Sequence, residues 1–285
     1  MASAQASKWH RFVELPNGTK VHFTDRGQGP VLLMVHGLGS NLKAWGKITP
    51  LLLPHYRCVA LDLPGYGLSD KGDHAFDIPF FAKTVLQFIQ ATGLNRPTLL
   101  GHSMGGQASI FAALQEQSRF SKLVLLAPAG FERFNAAARE WLRAFYKPAL
   151  IRATPVHQIE RNFHANFYQF PADAQFMIAD RMALRANTAA YAHYCKMIPK
   201  CVLGMLDYPV FDRLPDLLLP TLVLYGNNDA LIPNSMINPG LTTEQVAREG
   251  TAQLPDARLH FLPGCGHFVQ WECADEAATH IRSFV

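Results

Sequence analysis

The sequence predicts an α/β protein: a mostly parallel sheet of the eight-stranded type, helices on both of its faces, and an inserted helical cap. Three observations carry that expectation. Short apolar runs alternate with helical patterns over most of the chain, a hairpin signal precedes them, and the alternation breaks off between residues 131 and 215. Strands covered on both faces read as continuous apolar runs, the mark of a parallel sheet lined by helices.

The elements follow in order. RFVEL and KVHFTD flank Asn17-Gly18, a dipeptide suited to the positive φ of a tight hairpin. VLLMVH (31–36) leads into a Gly-rich turn and a helix expected near 41–53, and RCVALD (57–62) leads into Leu63-Pro64-Gly65-Tyr66-Gly67. PTLLGHS (97–103) runs into the helical stretch MGGQASIFAALQEQ. KLVLLAP (122–128), TLVLYG (221–226) and ARLHFLP (257–263) complete the set, with a final helix expected near 269–284. Residues 131–215 are helical in pattern and dense in aromatics and methionine, from Trp141, Phe145 and Tyr146 to Met197 and Met205. The expected division is therefore a core of residues 1–130 and 216–285 with a helical cap at 131–215. Most of the cap's aromatics should form its own small core, and the remainder should line an apolar pocket.

Composition narrows the function classes. The net charge of +4 comes without a dense Lys/Arg run, which argues against nucleic acid as a partner. No apolar stretch is long enough to span a bilayer. The N-terminal residues lack the apolar core of a secretory signal, so a cytoplasmic location is expected. Cys58, Cys195, Cys201, Cys265 and Cys273 are odd in number and scattered, as suits reduced thiols. Cys265 and His267 have no second Cys/His pair at ligand spacing, so neither metal nor cofactor is expected. The oligomeric state is not legible.

Residues 101–105, GHSMG, carry the chemistry. A serine hydroxyl is a poor nucleophile near neutral pH and needs an adjacent base, which in turn needs an orienting group. A serine at the tip of a tight strand-to-helix turn sits in strained backbone, and its neighbours two residues away must lack bulk. Gly101 and Gly105 meet that demand. Helix capping would account for Ser103 but not for both glycines. After TLVLYG comes Asp229, and after ARLHFLP comes His267, both at the carboxyl ends of strands, where open parallel sheets form sites. Two backbone N–H groups should face a developing oxyanion: Met104, opening the helix, and Leu38, in the His36-Gly37-Leu38-Gly39 loop. His36 itself reads as a buried imidazole bonding loop backbone.

Through HGLG, DLPGYGLSD, GHSMGG, LYGNNDALIP and GCGHF, the sequence resembles the α/β-hydrolase superfamily over nearly its whole length, in the capped serine-hydrolase branch. The resemblance implies Ser103 as nucleophile, His267 as general base and then acid, Asp229 as its orienter, and Leu38 and Met104 as oxyanion donors. It implies a structural role for Asp62 in LDLPG. Related dehalogenases and epoxide hydrolases carry an aspartate where Ser103 stands, so their chemistry is not expected.

The expected activity is hydrolysis of small-molecule carboxylic esters with an apolar acyl or alkyl group, through an acyl-enzyme. A carbon–carbon bond hydrolase of ring-cleavage products is the alternative. The segment from His267 to Glu272 resembles that family, and Arg181 and Arg185 offer partners for a substrate carboxylate unless they simply line a solvated helix face. HGLGSN and His102 depart from that family's usual loop and turn. A further alternative is a non-enzymatic or slow, receptor-like ligand-binding member of the fold.

Overall fold

The computed structural model describes residues 9–285. The hairpin forms as β1 (His10–Glu14) and β2 (Lys20–Arg26), with Gly18 at φ 81 between them. The strands β3 (Val31–Val35), β4 (Arg57–Leu61), β5 (Thr98–His102), β6 (Leu123–Leu126), β7 (Thr221–Gly226) and β8 (Ala257–Leu262) follow. They form one sheet in the order β1-β2-β4-β3-β5-β6-β7-β8. β1 and β2 are antiparallel to their neighbours, and the ladders from β4 to β8 are parallel. The central strands are buried on both faces, which is why VLLMV, TLLGH and LVLL lack polar alternation.

Helices fill the crossovers. α1 (Thr49–Leu52) is short, and α2 (Ile78–Thr92) is capped by the Asp77 carboxylate on the Phe80 N–H and stopped by Gly93 at φ 66. α3 (Met104–Gln115) packs on α2 and is buried almost all round. The single helix expected near 41–53 is instead a 3₁₀ turn at Leu42–Trp45 and then α1. Asn41 caps the turn, and Pro50 in the first turn of α1 starts the second piece afresh.

Residues 136–207 carry five helices: α4 (Ala136–Phe145), α5 (Pro148–Ala153), α6 (Val156–His164), α7 (Gln175–Ala186) and α8 (Thr188–Asp207). Asn135 and Asn187 cap α4 and α8 by accepting the N–H of Ala138 and Ala190. Their aromatics do not close on themselves alone. Phe167 and Met177 pack with Ala44, Phe268 and Trp271 in a cluster that ties this block to the loops after β3 and β8. Trp141 and Phe145 lie exposed on the surface with stacked rings.

α9 (Thr243–Ala252), in the crossover between β7 and β8, opens with a capping box between Thr242 and Gln245. The final helix is broken at Cys273 into α10 (Val269–Glu272) and α11 (Ala274–Phe284), the latter packed on α1.

Candidate active site

β5 ends at His102 and α3 begins at Met104, leaving Ser103 as the whole turn at φ 53, ψ −121. That backbone region costs an L-residue about 1–3 kcal/mol and persists only where the surroundings enforce it. The enforcement is visible. The Ser103 N–H donates to Leu126 O at 3.1 Å, and its carbonyl accepts from Gly106, Gln107 and Ala129 at 2.8, 3.2 and 3.0 Å. A Cβ on Gly105 would lie 2.4 Å from Val35 O, and one on Gly101 would lie 2.6 Å from Gly105 O. Only glycine lets α3 start this close to β3 and β5. The Ser103 side chain makes no capping bond to α3, so helix capping does not account for it.

The loop after β3 folds against this turn. A Cβ on Gly37 would come within 3.0 Å of Ser103 Cβ. His36 is fully buried and holds the loop from both nitrogens. Nε2 accepts the Leu63 N–H at 3.1 Å, which makes Nδ1 the donor to Gly37 O at 2.9 Å. Burial lowers its pKa, keeping it neutral. Leu38 follows directly, and among the described residues its N–H has no acceptor. The Met104 N–H opens α3, where the first amide groups of a helix have no intrahelical partner.

Asp229 lies in the turn after β7 and His267 in the loop after β8. His267 Nδ1 is 2.8 Å from Asp229 Oδ2, and both side chains are buried. The carboxylate can only accept, so the proton sits on Nδ1 and Nε2 keeps a free lone pair. The other oxygen, Oδ1, accepts the N–H groups of Leu231 and Ile232 at 2.8 and 3.1 Å, which fixes the carboxylate plane. A strained serine, an imidazole oriented by a buried carboxylate and amide N–H groups, set at the carboxyl ends of neighbouring strands, are the parts that acyl transfer uses, and the structure records no hydrogen bond between Ser103 and His267 among the described residues.

Two residues that sequence reasoning did not place brace the His267 loop. His102, fully buried beneath Ser103, donates Nε2–H to His267 O at 3.0 Å, its ring centroid 4.9 Å from that of His267. Burial holds its pKa well below the ordinary value, so it remains neutral. Glu272 accepts the Gly266 N–H at 2.7 Å. Neither contact leaves a periodic signature in the sequence: the His102 bond joins segments that meet only in the folded sheet, and the Glu272 bond closes an irregular turn six positions long.

Asp62 serves the loops. Its oxygens accept the N–H groups of Leu42 and Leu68 at 2.8 and 2.9 Å and pair with His22 Nδ1 at 2.7 Å. Burial alone would raise its pKa, but His22 and these N–H groups outweigh it and hold the carboxyl below its ordinary range.

A cavity of about 510 Å³ lies between the loops after β3 and β4 and helices α5–α8; Leu38 and Phe268, one residue from Gly37 and His267, belong to its lining, whereas Ser103 and His267 do not. Tyr146, Phe163, Phe176, Tyr191 and Tyr194 give it aromatic sides. Arg181 and Arg185 do not form a solvated face. Both are half-buried, and each donates to a backbone carbonyl, Arg181 to Gly39 and Arg185 to Thr154, at 2.6 Å. Arg181 lines the cavity, its guanidinium 4.2 Å from the Tyr194 ring centre and, among the described residues, without a carboxylate partner.

The fold and this arrangement define an α/β hydrolase, and the chain belongs to the alpha/beta hydrolase fold family, whose model matches residues 30–274. It is 28% identical over 265 residues to the 2-hydroxy-6-oxo-6-phenylhexa-2,4-dienoate hydrolase of Burkholderia cepacia, covering 90% of this chain and 87% of that protein. Among solved structures it is similar to a bacterial membrane phospholipase A, with a TM-score of 0.79 and 25% identity over 99% of this chain and 89% of that one. A probable hydrolytic enzyme of Pseudomonas aeruginosa superposes with a TM-score of 0.86 at 20% identity, covering 97% and 94% of the two chains. Among the described residues no helix is long and apolar enough to cross a membrane.

Proposed function

We propose that the chain is a serine hydrolase of carboxylic esters with an apolar acyl or alkyl group, residues 131–215 acting as a cap over a core of 1–130 and 216–285. The observation that carries this reading is Ser103, strained at φ 53 with no capping bond and close to Gly37, next in sequence to the His102 that braces the loop of the His267–Asp229 pair. Ser103 Oγ attacks the ester carbonyl as His267 Nε2 takes its proton. The oxyanion is met by the Leu38 and Met104 N–H groups, each donor contributing about 2.7–4 kcal/mol to the transition state. His267 returns the proton to the departing alcohol, and water then cleaves the acyl-enzyme by the same route. Asp229 holds the imidazole tautomer throughout. The aromatic cavity receives the apolar group, and the likeness to a phospholipase supports an acyl ester.

A second reading, hydrolysis of a carbon–carbon bond in a ring-cleavage product, is favoured by the relative named as a dienoate hydrolase and by Arg181, a cavity cation that has no carboxylate partner among the described residues. The two readings share Ser103 and differ in the bond broken. Steady-state turnover of nitrophenyl esters of increasing acyl length, run beside a 2-hydroxy-6-oxo-dienoate, separates them. The ester reading expects turnover that peaks at a medium chain, and turnover of the dienoate alone overturns it.

A further inference from the structure

Glu272 closes α10, five residues after His267. Its carboxylate accepts three backbone N–H groups from two separate parts of the molecule. Oε2 takes Gly266 at 2.7 Å and Tyr168 at 3.0 Å, and Oε1 takes Gln169 at 2.7 Å. Gly266 precedes His267, whereas Tyr168 and Gln169 belong to the segment joining α6 and α7. One carboxylate thus binds the helical block to the loop that presents the imidazole.

The surrounding contacts make this junction tight. The Phe268 N–H donates to Asn166 O at 3.0 Å, and the rings of Phe167 and Phe268 stack at 5.3 Å. A Cβ on Gly266 would lie 2.6 Å from the Tyr168 nitrogen, so the two backbones touch with no side chain between them. Hydrogen bonds to an ionised acceptor are shorter and roughly twice as strong as neutral ones, and here three converge on one group. The imidazole, by contrast, is held at only one ring nitrogen, by Asp229, and its backbone carbonyl is held by His102. On the N-terminal side of His267, Glu272 holds the N–H of the preceding residue, Gly266.

We infer that Glu272 is a positioning residue for His267: it locks the 264–268 loop in the register that aims Nε2 at Ser103, and it makes that register depend on the seating of residues 166–169. The inference rests on the reading of Ser103 and His267 as nucleophile and base. When the segment at 166–169 lifts, Gly266 loses the carboxylate's second anchor and the imidazole loses its aim. Movement of the helical block then reaches the base through the Glu272 carboxylate, alongside the Phe268 contacts to Asn166 and Phe167, and does not need to reach Ser103 at all.

The test is the rate at which a small dialkyl fluorophosphate labels Ser103 in the full chain. That reaction needs an aimed base but makes little use of the cavity. Glu272→Ala is expected to slow labelling at least tenfold and to lower kcat by a similar factor, with KM changed less than threefold. Glu272→Gln keeps one acceptor oxygen and should fall between Glu272→Ala and wild type; it also serves if the alanine variant does not fold. Asp173→Asn, which weakens the Trp271 and Lys47 contacts at residue 173 and leaves the bonds of residues 166–169 and of Gly266 in place, should label at the wild-type rate. Wild-type labelling rates in both Glu272 variants, with only KM altered, would show a purely structural anchor and overturn the inference. Equal labelling of Ser103→Ala and wild type would instead sink the nucleophile assignment on which it rests.

Discussion

Asp229 meets His267 with one carboxylate oxygen, Oδ2 to Nδ1 at 2.8 Å, and spends the other on the N–H groups of its own turn at Leu231 and Ile232. The pair is buried, so water does not compete for either oxygen. A carboxylate tethered in this way cannot swing, and the imidazole it orients keeps its second nitrogen free. Asp62, the other buried carboxylate near the site, has both oxygens committed to loop N–H groups and to His22.

That contrast yields opposite outcomes for the same substitution. Asp229→Asn is expected to cut kcat by about 10³–10⁴-fold, the size of effect seen when a triad tautomer is lost, while leaving the melting temperature within a few degrees. Asp62→Asn should lower the melting temperature and leave most turnover per folded molecule. Steady-state kinetics with thermal unfolding on both variants checks the pair, and reversal of the two results would move the acid to Asp62.

Ser103 stores strain that glycine would release. Ser103→Gly removes about 1–3 kcal/mol of backbone cost, offset by about 0.5–1 kcal/mol for the freer unfolded chain. The variant is expected to melt higher than wild type and to show no turnover. A lower melting temperature would mean that the surroundings, rather than the residue, favour φ 53 without cost.

Arg181 bears on substrate charge. Arg181→Lys keeps the cation and loses the planar fork that meets Gly39 O and the Tyr194 face. For an anionic dienoate or a carboxylate-bearing ester, kcat/KM should fall at least tenfold, and for a neutral nitrophenyl ester by less than threefold. Equal losses on both substrates would place the residue in support of the Gly39 loop alone.

Stability should weaken in acid through Asp25. Arg57 grips both of its oxygens at 2.8 Å, and those hydrogen bonds, against the opposing effect of burial, hold the carboxyl below its ordinary range. The unfolded chain takes up its proton first as pH falls past about 3.9, so this contribution is whole above that value. It is lost as pH drops through the lower folded value. Urea unfolding of wild type and Asp25→Asn should therefore differ at pH 7 and converge toward pH 3; a constant gap would show that the pair adds no proton-linked stability.

Close backbone approach makes a last test. A methyl group at Gly105 would meet the carbonyl oxygens of Val35 and His36 at 2.4 and 2.5 Å, and neither is the end of a flexible side chain. Gly105→Ala is expected to accumulate as insoluble protein or to melt many degrees lower. Gly240→Ala, where a Cβ meets nothing, should be silent.

What the sequence determined by itself was the part written in short-range chemistry. Apolar runs of strand length, Asn17-Gly18 in the hairpin and the two glycines around Ser103 are local sterics and burial, and they place the strands and the strained turn without knowledge of the rest of the fold. Even locally the reading had limits, since Asn41 and Pro50 split one expected helix and Cys273 broke another. Tertiary structure decided which distant groups share a partner. It put Asp229 on His267 and Asp62 on His22, turned Arg181 onto Gly39 and Arg185 onto Thr154, and gave Glu272 three N–H groups from two segments. Apart from Gly266, six positions before Glu272, these partners lie 31 to 142 positions apart, and such separations leave no periodicity that links them. Their pairing follows from the order in which a parallel sheet brings its strand ends together, and that order belongs to the whole chain.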